Sequence, residues 1–189
     1  MTAGKAFVDR RAKDHEAQAE TDYPPEGEFI TVDGRQVHYV MKGSGPDLVL
    51  IHGASGNTRE FTFTMVDRLK DNYRVIVFDR PGLGYTDRLH PDLDGVFNTA
   101  AESPADQAIL LQAAAAQLGA PKPIVLGHSF GGTVGLAWAL ERPDNIAALI
   151  NVSGPSNPWP GKLSALYRIN GTAIGGAILP PLIAAFTSQ

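Results

Sequence analysis

The chain has 189 residues, a formal net charge of −4 and no cysteine. This length suits one domain with a sizeable hydrophobic core, whereas two full domains would be cramped. The acidic balance, without any cluster of Lys and Arg, argues against nucleic acid as the main partner. The lack of cysteine excludes disulfides, thiolate metal sites and a cysteine nucleophile. No metal-binding spacing such as H-E-x-x-H occurs, so we expect neither a metal nor a cofactor.

The two ends of the chain differ in character. Residues 1–22 contain four basic and five acidic side chains and no apolar run, so a cleavable signal peptide is not expected and a cytoplasmic location is favoured, with the compartment left open. Residues 169–189 carry no charge. Glycines and the Pro180-Pro181 pair interrupt this stretch, which favours short apolar helices over a membrane span.

The strands are predicted from turn residues and apolar runs. Glu28–Val32 and Arg35–Met41 flank an Asp33-Gly34 pair, which is typical of the tight turn of a β-hairpin. Four short apolar runs then have the composition of strands that are buried on both faces of a parallel sheet. These runs are LVLI at residues 48–51, YRVIVF at 73–78, IVL at 124–126 and AALINV at 147–152.

Three helical segments are predicted between these strands. Thr58–Lys70 has apolar side chains at helical spacing. Pro104–Leu118 begins with Ser103 as its N-cap and with Asp106 in the capping-box position. Phe130–Glu141 follows the third apolar run. The alternation of strands and helices predicts an α/β fold, with a mainly parallel sheet, right-handed crossovers and helices on both faces.

The strongest chemical signal is the sequence GHSFG at residues 127–131, which has the form G-x-S-x-G between a predicted strand and a predicted helix. In that context the glycines permit a sharp turn that exposes the hydroxyl of Ser129. The helix then begins beside the serine, so its first amides face any developing oxyanion. A second segment, HGASGN at residues 52–57, directly follows the strand at 48–51. The amides of Ala54 and Phe130 are therefore the candidate oxyanion-hole donors.

These motifs, together with DRPGLGYT at residues 79–86, resemble the α/β-hydrolase superfamily, and GHSFGG is similar to its serine hydrolases that carry a helical cap. The resemblance covers residues 27–160. It implies a charged lead-in at 1–26, the N-terminal part of a hydrolase core at 27–158, and the start of an apolar helical cap at 159–189. It also implies that Ser129 is the nucleophile and that His52, Gly53 and His128 contribute to substrate binding, while the turn at 79–86 is chiefly structural.

The chain departs from the family's pattern after the serine. The family's triad places an acid and then a histidine later in the chain, but no histidine follows Ser129 and only Glu141 and Asp144 carry carboxylates there. Both flank an ordinary helix stop, so neither is expected to be the catalytic acid. We therefore expect a sheet truncated before its last strands, with base and acid supplied by sequence beyond residue 189 or by a complementary C-terminal polypeptide.

An upstream histidine is not expected to replace the missing base, because none has a spatial partner that the sequence can identify. The five histidines are His15 in the lead-in, His38 on an exposed hairpin strand, His52 bracing its loop, His90 in a long loop, and His128 packing beside the serine.

The sequence predicts a serine hydrolase that acts on a carboxylic ester or related carbonyl substrate through an acyl-enzyme. The apolar residues 163–186 favour a small apolar ester-like substrate, and no membrane partner is expected. Carbon–carbon bond hydrolysis and perhydrolysis by the same G-x-S-x-G serine remain open as alternative reactions. A different alternative is a catalytically incomplete, hydrolase-like module that binds a partner or an apolar ligand, because a truncated sheet exposes an edge and an apolar face.

Overall fold

The computed structural model describes residues 17–90 and 102–157, together with Arg10 and Asp14. Pro25–Leu89 and Glu102–Pro158 belong to one compact unit, which contains every strand and helix named below. In the second unit, residues 17–22 are helical. The predicted cap at 159–189 and His15 lie outside the described residues, and the predicted domain boundaries stay predictions.

The described strands are β1 (Glu28–Val32), β2 (Arg35–Lys42), β3 (Asp47–Ile51), β4 (Arg74–Phe78), β5 (Ile124–His128) and β6 (Ala148–Val152). They form one six-stranded sheet in the order β1-β2-β4-β3-β5-β6. β2 is antiparallel to both β1 and β4, whereas the pairs β4–β3, β3–β5 and β5–β6 are parallel. This confirms the predicted α/β fold with a mainly parallel sheet and an N-terminal hairpin.

The hairpin turn has the backbone that its two residues favour. Asp33 and Gly34 have φ values of 49° and 78°, and two consecutive positive φ angles give a turn whose twist matches the flanking antiparallel strands. The resulting register pairs Ile30 with Val37 and places Val32 and Val37 in the core. The predicted hairpin is confirmed.

Two of the three predicted helices form as single elements. In the helix Pro104–Gln117 the Ser103 hydroxyl oxygen accepts a hydrogen bond from the Asp106 amide at 3.1 Å, as its capping residues predict. The predicted single helix at 58–70 is wrong: it divides at Thr64, where φ is −150°. Its ψ of −33° combined with this φ is not a helical backbone, so the two helical turns on either side do not join. The helices are α1 (Arg59–Thr62), α2 (Met65–Leu69), α3 (Pro104–Gln117) and α4 (Phe130–Glu141).

Alternate residues of the central strands face opposite helices. On β3, Val49 and Ile51 pack in the cluster with α3 and α4, while Leu48 and Leu50 pack with α1 and α2. Both faces of β3 and β4 are buried, as their apolar sequences predict. The same prediction is wrong for β6, where Ile150 is 44% and Val152 is 40% exposed. In the described sheet, β6 has a neighbour on one side only.

Candidate active site

Three of the predicted segments meet at one edge of the sheet. Ile51, the last residue of β3, pairs with Phe78 at the end of β4 and with Gly127 near the end of β5. The loop at 52–57, the turn at 79–86 and Ser129 therefore all follow strand ends at the same edge. In parallel sheets this carboxyl edge is where ligands bind.

Ser129 has a strained backbone at the junction of β5 and α4. Its φ of 52° and ψ of −121° lie in a region that non-glycine residues rarely adopt, which costs on the order of 1–3 kcal/mol. The surrounding backbone holds this conformation, since the Ser129 amide donates to the Val152 carbonyl and the Ser129 carbonyl accepts from the Gly132 amide, both at 2.9 Å. The serine remains partly exposed.

Glycines allow α4 to approach the sheet backbone directly. A β carbon at Gly131 would overlap the carbonyl oxygen of Ile51, and one at Gly127 would overlap the carbonyl oxygen of Gly131. The start of α4 therefore packs against the end of β3, at the point where the loop at 52–57 begins. This contact brings the amide end of α4 beside the loop that carries Ala54.

We expect Gly131→Ala to destabilise the fold by about 3 kcal/mol, because the added methyl group must displace strand backbone. Gly135, one turn along the same helix, is the matched control. A β carbon there would meet two side chains and no backbone: the end of Leu149 at 2.9 Å and Val125 at 3.5 Å. Because alanine also favours the helix, Gly135→Ala should change stability by no more than about 1 kcal/mol. Urea unfolding measures the free energy of unfolding of both variants. Equal losses of stability would contradict the close approach of Gly131 to the Ile51 carbonyl.

His52 braces the loop from inside the core. Its ring is fully buried, with Nδ1 2.9 Å from the Gly53 carbonyl oxygen and Nε2 accepting from the Arg80 amide at 2.9 Å. These partners assign the neutral ring with its proton on Nδ1. Burial lowers the pKa of His52, which keeps the ring neutral. The ring does not reach solvent, so its predicted part in substrate binding stays a prediction that would have to act through the loop backbone.

Arg80, which was not among the predicted site residues, holds the same loop. Its guanidinium donates to the carbonyl oxygens of His52 at 3.0 Å, Gly53 at 2.7 Å and Ala54 at 3.2 Å. It also lies 4.8 Å from the centroid of the Phe130 ring. Burial lowers the pKa of Arg80 to about 10, so the side chain remains charged at neutral pH. The available signal was an arginine two residues after the end of a buried strand.

Glu60 links the loop at 52–57 to the residues around Ser129, and it too was not among the predicted site residues. One carboxylate oxygen lies 2.7 Å from Nδ1 of His128, and the other accepts from the Gly53 amide at 3.1 Å. A β carbon built at Gly53 would lie 3.4 Å from the β carbon of Ser129. The structure therefore brings together three of the predicted site residues, Gly53, His128 and Ser129. The His128 ring is partly exposed, and Nε2 has no hydrogen-bond partner within the described residues.

His38 is buried, which corrects the expectation of an exposed position. Its side chain is 1% exposed, because Phe29 and Tyr85 pack against the ring. Nδ1 lies 2.7 Å from a carboxylate oxygen of Asp79, and Nε2 accepts from the Gly27 amide at 3.3 Å. His38 therefore belongs to the support of the 79–86 turn, as a structural residue.

Two further features of the described residues concern ligands and membranes. Within residues 17–90 and 102–157, no group of three or more His, Asp or Glu side chains is placed to hold a metal ion. In the same part of the chain, every helix is too short or too polar to cross a bilayer.

The sheet order, the strained serine and the braced loop define an α/β protein whose candidate site lies at the carboxyl edge of its strands. A sequence profile of the family described as the alpha/beta hydrolase fold matches residues 46–171. This match covers more than half of the chain, and the protein belongs to the α/β-hydrolase fold family.

Individual relatives match over part of their own length. The chain is 33% identical, over 156 residues, to a pimeloyl-[acyl-carrier protein] methyl ester esterase of Vibrio vulnificus, covering 81% of this chain and 50% of the relative. It is 32% identical over 154 residues to the dihydrolipoyllysine-residue acetyltransferase component of the acetoin cleaving system of Cupriavidus necator, covering 77% and 38%. The chain thus spans about half the length, or less, of these curated relatives.

A solved structure shows the same fold. The crystal structure of a membrane phospholipase A, a bacterial virulence factor, superimposes with a TM-score of 0.63 at 21% identity, covering 86% of this chain and 50% of that chain. At this level of identity the similarity establishes the architecture alone.

Proposed function

We propose that the protein is a serine hydrolase that cleaves a carboxylic ester through an acyl-enzyme, with Ser129 as nucleophile. The observation that carries this proposal is the strained backbone of Ser129, held partly exposed at the carboxyl edge of the sheet and beside Gly53. Strain of this kind persists where the surrounding structure maintains it, and it concentrates at active sites. The family's nucleophile elbow has the same strand-turn-helix context.

In this mechanism the Ser129 hydroxyl attacks the ester carbonyl and its proton passes to a general base. The amides of Ala54 and Phe130 stabilise the tetrahedral oxyanion. Collapse of this intermediate releases the alcohol and leaves an acyl group on Ser129, and a water molecule then releases the carboxylic acid. His128 directly precedes the serine and its ring is held by Glu60, 2.7 Å from Nδ1, which supports the predicted role of His128 in substrate binding.

The base and its acid have to come from elsewhere in this proposal. No histidine follows Ser129 in the sequence, and both ring nitrogens of His38 and of His52 already have partners. We propose that the base and acid lie in sequence beyond residue 189 or in a complementary polypeptide, and that the substrate is a small apolar ester. The names of the two curated relatives, which specify a methyl ester and an acetyl group, support acyl chemistry of this kind.

A second candidate is a catalytically incomplete module that binds a partner or an apolar ligand. The exposed apolar side chains on β6, among them Ile150 and Val152, favour this alternative. It requires no base, and it leaves Ser129 without a chemical role. The two candidates therefore differ in whether Ser129 reacts.

The distinguishing experiment is reaction of the full-length protein with a fluorophosphonate probe, followed by peptide mapping. We expect a single labelled peptide that contains Ser129, because the oxyanion donors also stabilise the phosphonate adduct. Ser55, in the loop at 52–57, is the internal comparison and should stay unlabelled. A folded full-length protein that takes no label at Ser129 would favour the binding module over the hydrolase.

A further inference from the structure

The charged end of Arg80 is buried against backbone. The residue is 3% exposed and follows the last residues of β4 at the carboxyl edge of the sheet. Its hydrogen bonds, all shorter than 3.3 Å, go to three consecutive carbonyl oxygens of the loop at 52–54 and to the Gln107 side chain. A buried cation is costly unless its donors are satisfied. Here the carbonyl oxygens of residues 52–54, in the loop that carries the candidate donor Ala54, accept hydrogen bonds from these donors.

The Gly53 carbonyl is the most heavily bonded of these acceptors. It accepts from Arg80 at 2.7 Å, from His52 at 2.9 Å and from the Gly56 amide at 3.3 Å. The carbonyl of Gly53 and the amide of Ala54 belong to one peptide group. Because that group is planar and trans, its N–H points opposite to its C=O. Arg80 and His52 hold the Gly53 carbonyl toward the core, so the Ala54 N–H of the same peptide group points away from the core.

The guanidinium also affects the strength of that amide as a donor. Hydrogen bonds in a chain polarise one another, and a charged donor on the carbonyl draws electron density from the peptide nitrogen. Arg80 contacts the other half of the candidate oxyanion hole as well, since its guanidinium lies over the ring of Phe130 at 4.8 Å. The Arg80 side chain thus contacts both candidate donor residues: it bonds the peptide group that carries the Ala54 amide, and it lies over the ring of Phe130.

We propose that Arg80 is a positioning residue of the oxyanion hole, which orients and polarises the Ala54 amide by holding the Gly53 carbonyl. This inference rests on the proposed function for its catalytic consequence. Its structural half, the orientation of one peptide group, does not depend on catalysis. The two halves therefore receive separate measurements.

The structural half is tested by 15N NMR of Arg80→Met and Arg80→Lys. Removing a hydrogen bond from a carbonyl changes the shift of the next residue's amide nitrogen, so we expect the Ala54 resonance to move in Arg80→Met. Arg74→Met is the matched control, because Arg74 holds the carbonyls of Leu118 and Gly119 at the other edge of the sheet. There the amides of Gly119 and Ala120 should move while Ala54 stays. An unchanged Ala54 resonance in a folded Arg80 variant overturns the proposal.

The catalytic half is tested by ester kinetics of the full-length protein. Loss of one oxyanion donor lowers kcat by about 10²–10³-fold, so Arg80→Met should lose about 10²-fold in kcat with little change in KM. Arg80→Lys restores one charged donor and should recover part of the loss. Should Arg80→Met fail to fold, Arg80→Lys carries both measurements. A loss confined to KM, or a loss equal to that of Arg74→Met, overturns the positioning role.

The design separates failure of this inference from failure of the proposed function. If the unmodified full-length protein does not hydrolyse esters, the proposed function fails, and the Ala54 resonance still decides whether Arg80 orients the peptide. If the unmodified protein is active and Arg80→Met keeps its full kcat, the positioning role fails while the proposed function stands.

Discussion

We expect Ser129→Ala to reduce ester turnover by the full-length protein on the order of 10⁶-fold, the loss typical of removing a catalytic serine. The alanine keeps an L residue at the strained position, so the hydrogen bonds of residue 129 to Val152 and Gly132 need not change. The reason for the loss is chemical, since no hydroxyl remains to form the acyl-enzyme. The measurement is steady-state hydrolysis of a short-chain p-nitrophenyl ester.

Ser44→Ala is the matched control for this experiment. Ser44 is exposed in the turn between β2 and β3, at the opposite edge of the sheet from Ser129. It should keep wild-type turnover and the same melting temperature as the Ser129 variant. If Ser129→Ala retained more than about 1% of the wild-type rate, the residual activity would exceed what the oxyanion hole alone supplies. The nucleophile assignment would then be wrong.

Sequence prediction succeeded where the determining interactions are local. The Asp33-Gly34 turn and the Ser103 cap act within four residues, and both have the predicted geometry. The apolar runs at β3 and β4 also specify their own burial, because a strand covered on both faces has no polar side chain to display. The strained turn at Ser129 likewise coincides with its motif.

Prediction failed where contacts join distant parts of the chain. Glu60 and His128 are 68 positions apart, and His38 and Asp79 are 41 positions apart. Neither pair follows from periodicity, because each depends on which strand ends become neighbours. A hairpin commonly has one solvated face, but Phe29 and Tyr85 cover the His38 ring in this fold.

The same limitation applies to Arg80. From sequence it is one charged residue in a glycine-rich turn, and the natural interpretation is a structural turn. Its significance comes from the strand order, which places β4 directly beside β3. Only this neighbour relation brings the guanidinium under the carbonyls of residues 52–54.

The second large effect concerns stability, and we expect Asp79→Ala to lower the free energy of unfolding by about 3–5 kcal/mol. Asp79 is fully buried, and its carboxylate oxygens accept from the Thr58 amide at 2.7 Å, the Tyr85 amide at 3.0 Å and the His38 ring at 2.7 Å. The substitution removes the acceptor of these three hydrogen bonds, two of which are buried, and leaves a cavity. Urea unfolding followed by circular dichroism measures the change.

Asp47→Ala is the control, because it also removes one partner of an ion pair. The Asp47–Arg74 pair is partly exposed, so its loss should cost no more than about 1 kcal/mol. Equal losses of stability in the two variants would show that burial does not determine how much Asp79 contributes to the free energy of unfolding. Asp79→Asn separates charge from volume, since the amide fills the same space but cannot accept from all three donors.

The pH dependence of Asp79→Asn provides an independent check with a defined sign. Burial would raise the pKa of the Asp79 carboxyl, but the hydrogen bonds from His38, Tyr85 and Thr58 outweigh burial and hold it below its ordinary value. A carboxyl with a depressed pKa in the folded state stabilises fully above the unfolded value, about pH 3.9, and loses that contribution as the pH falls through the folded pKa. The stability difference between wild type and Asp79→Asn should therefore be constant above about pH 5 and narrow below about pH 4. A difference that stayed constant down to pH 2 would mean that the charge on Asp79 contributes nothing to the fold.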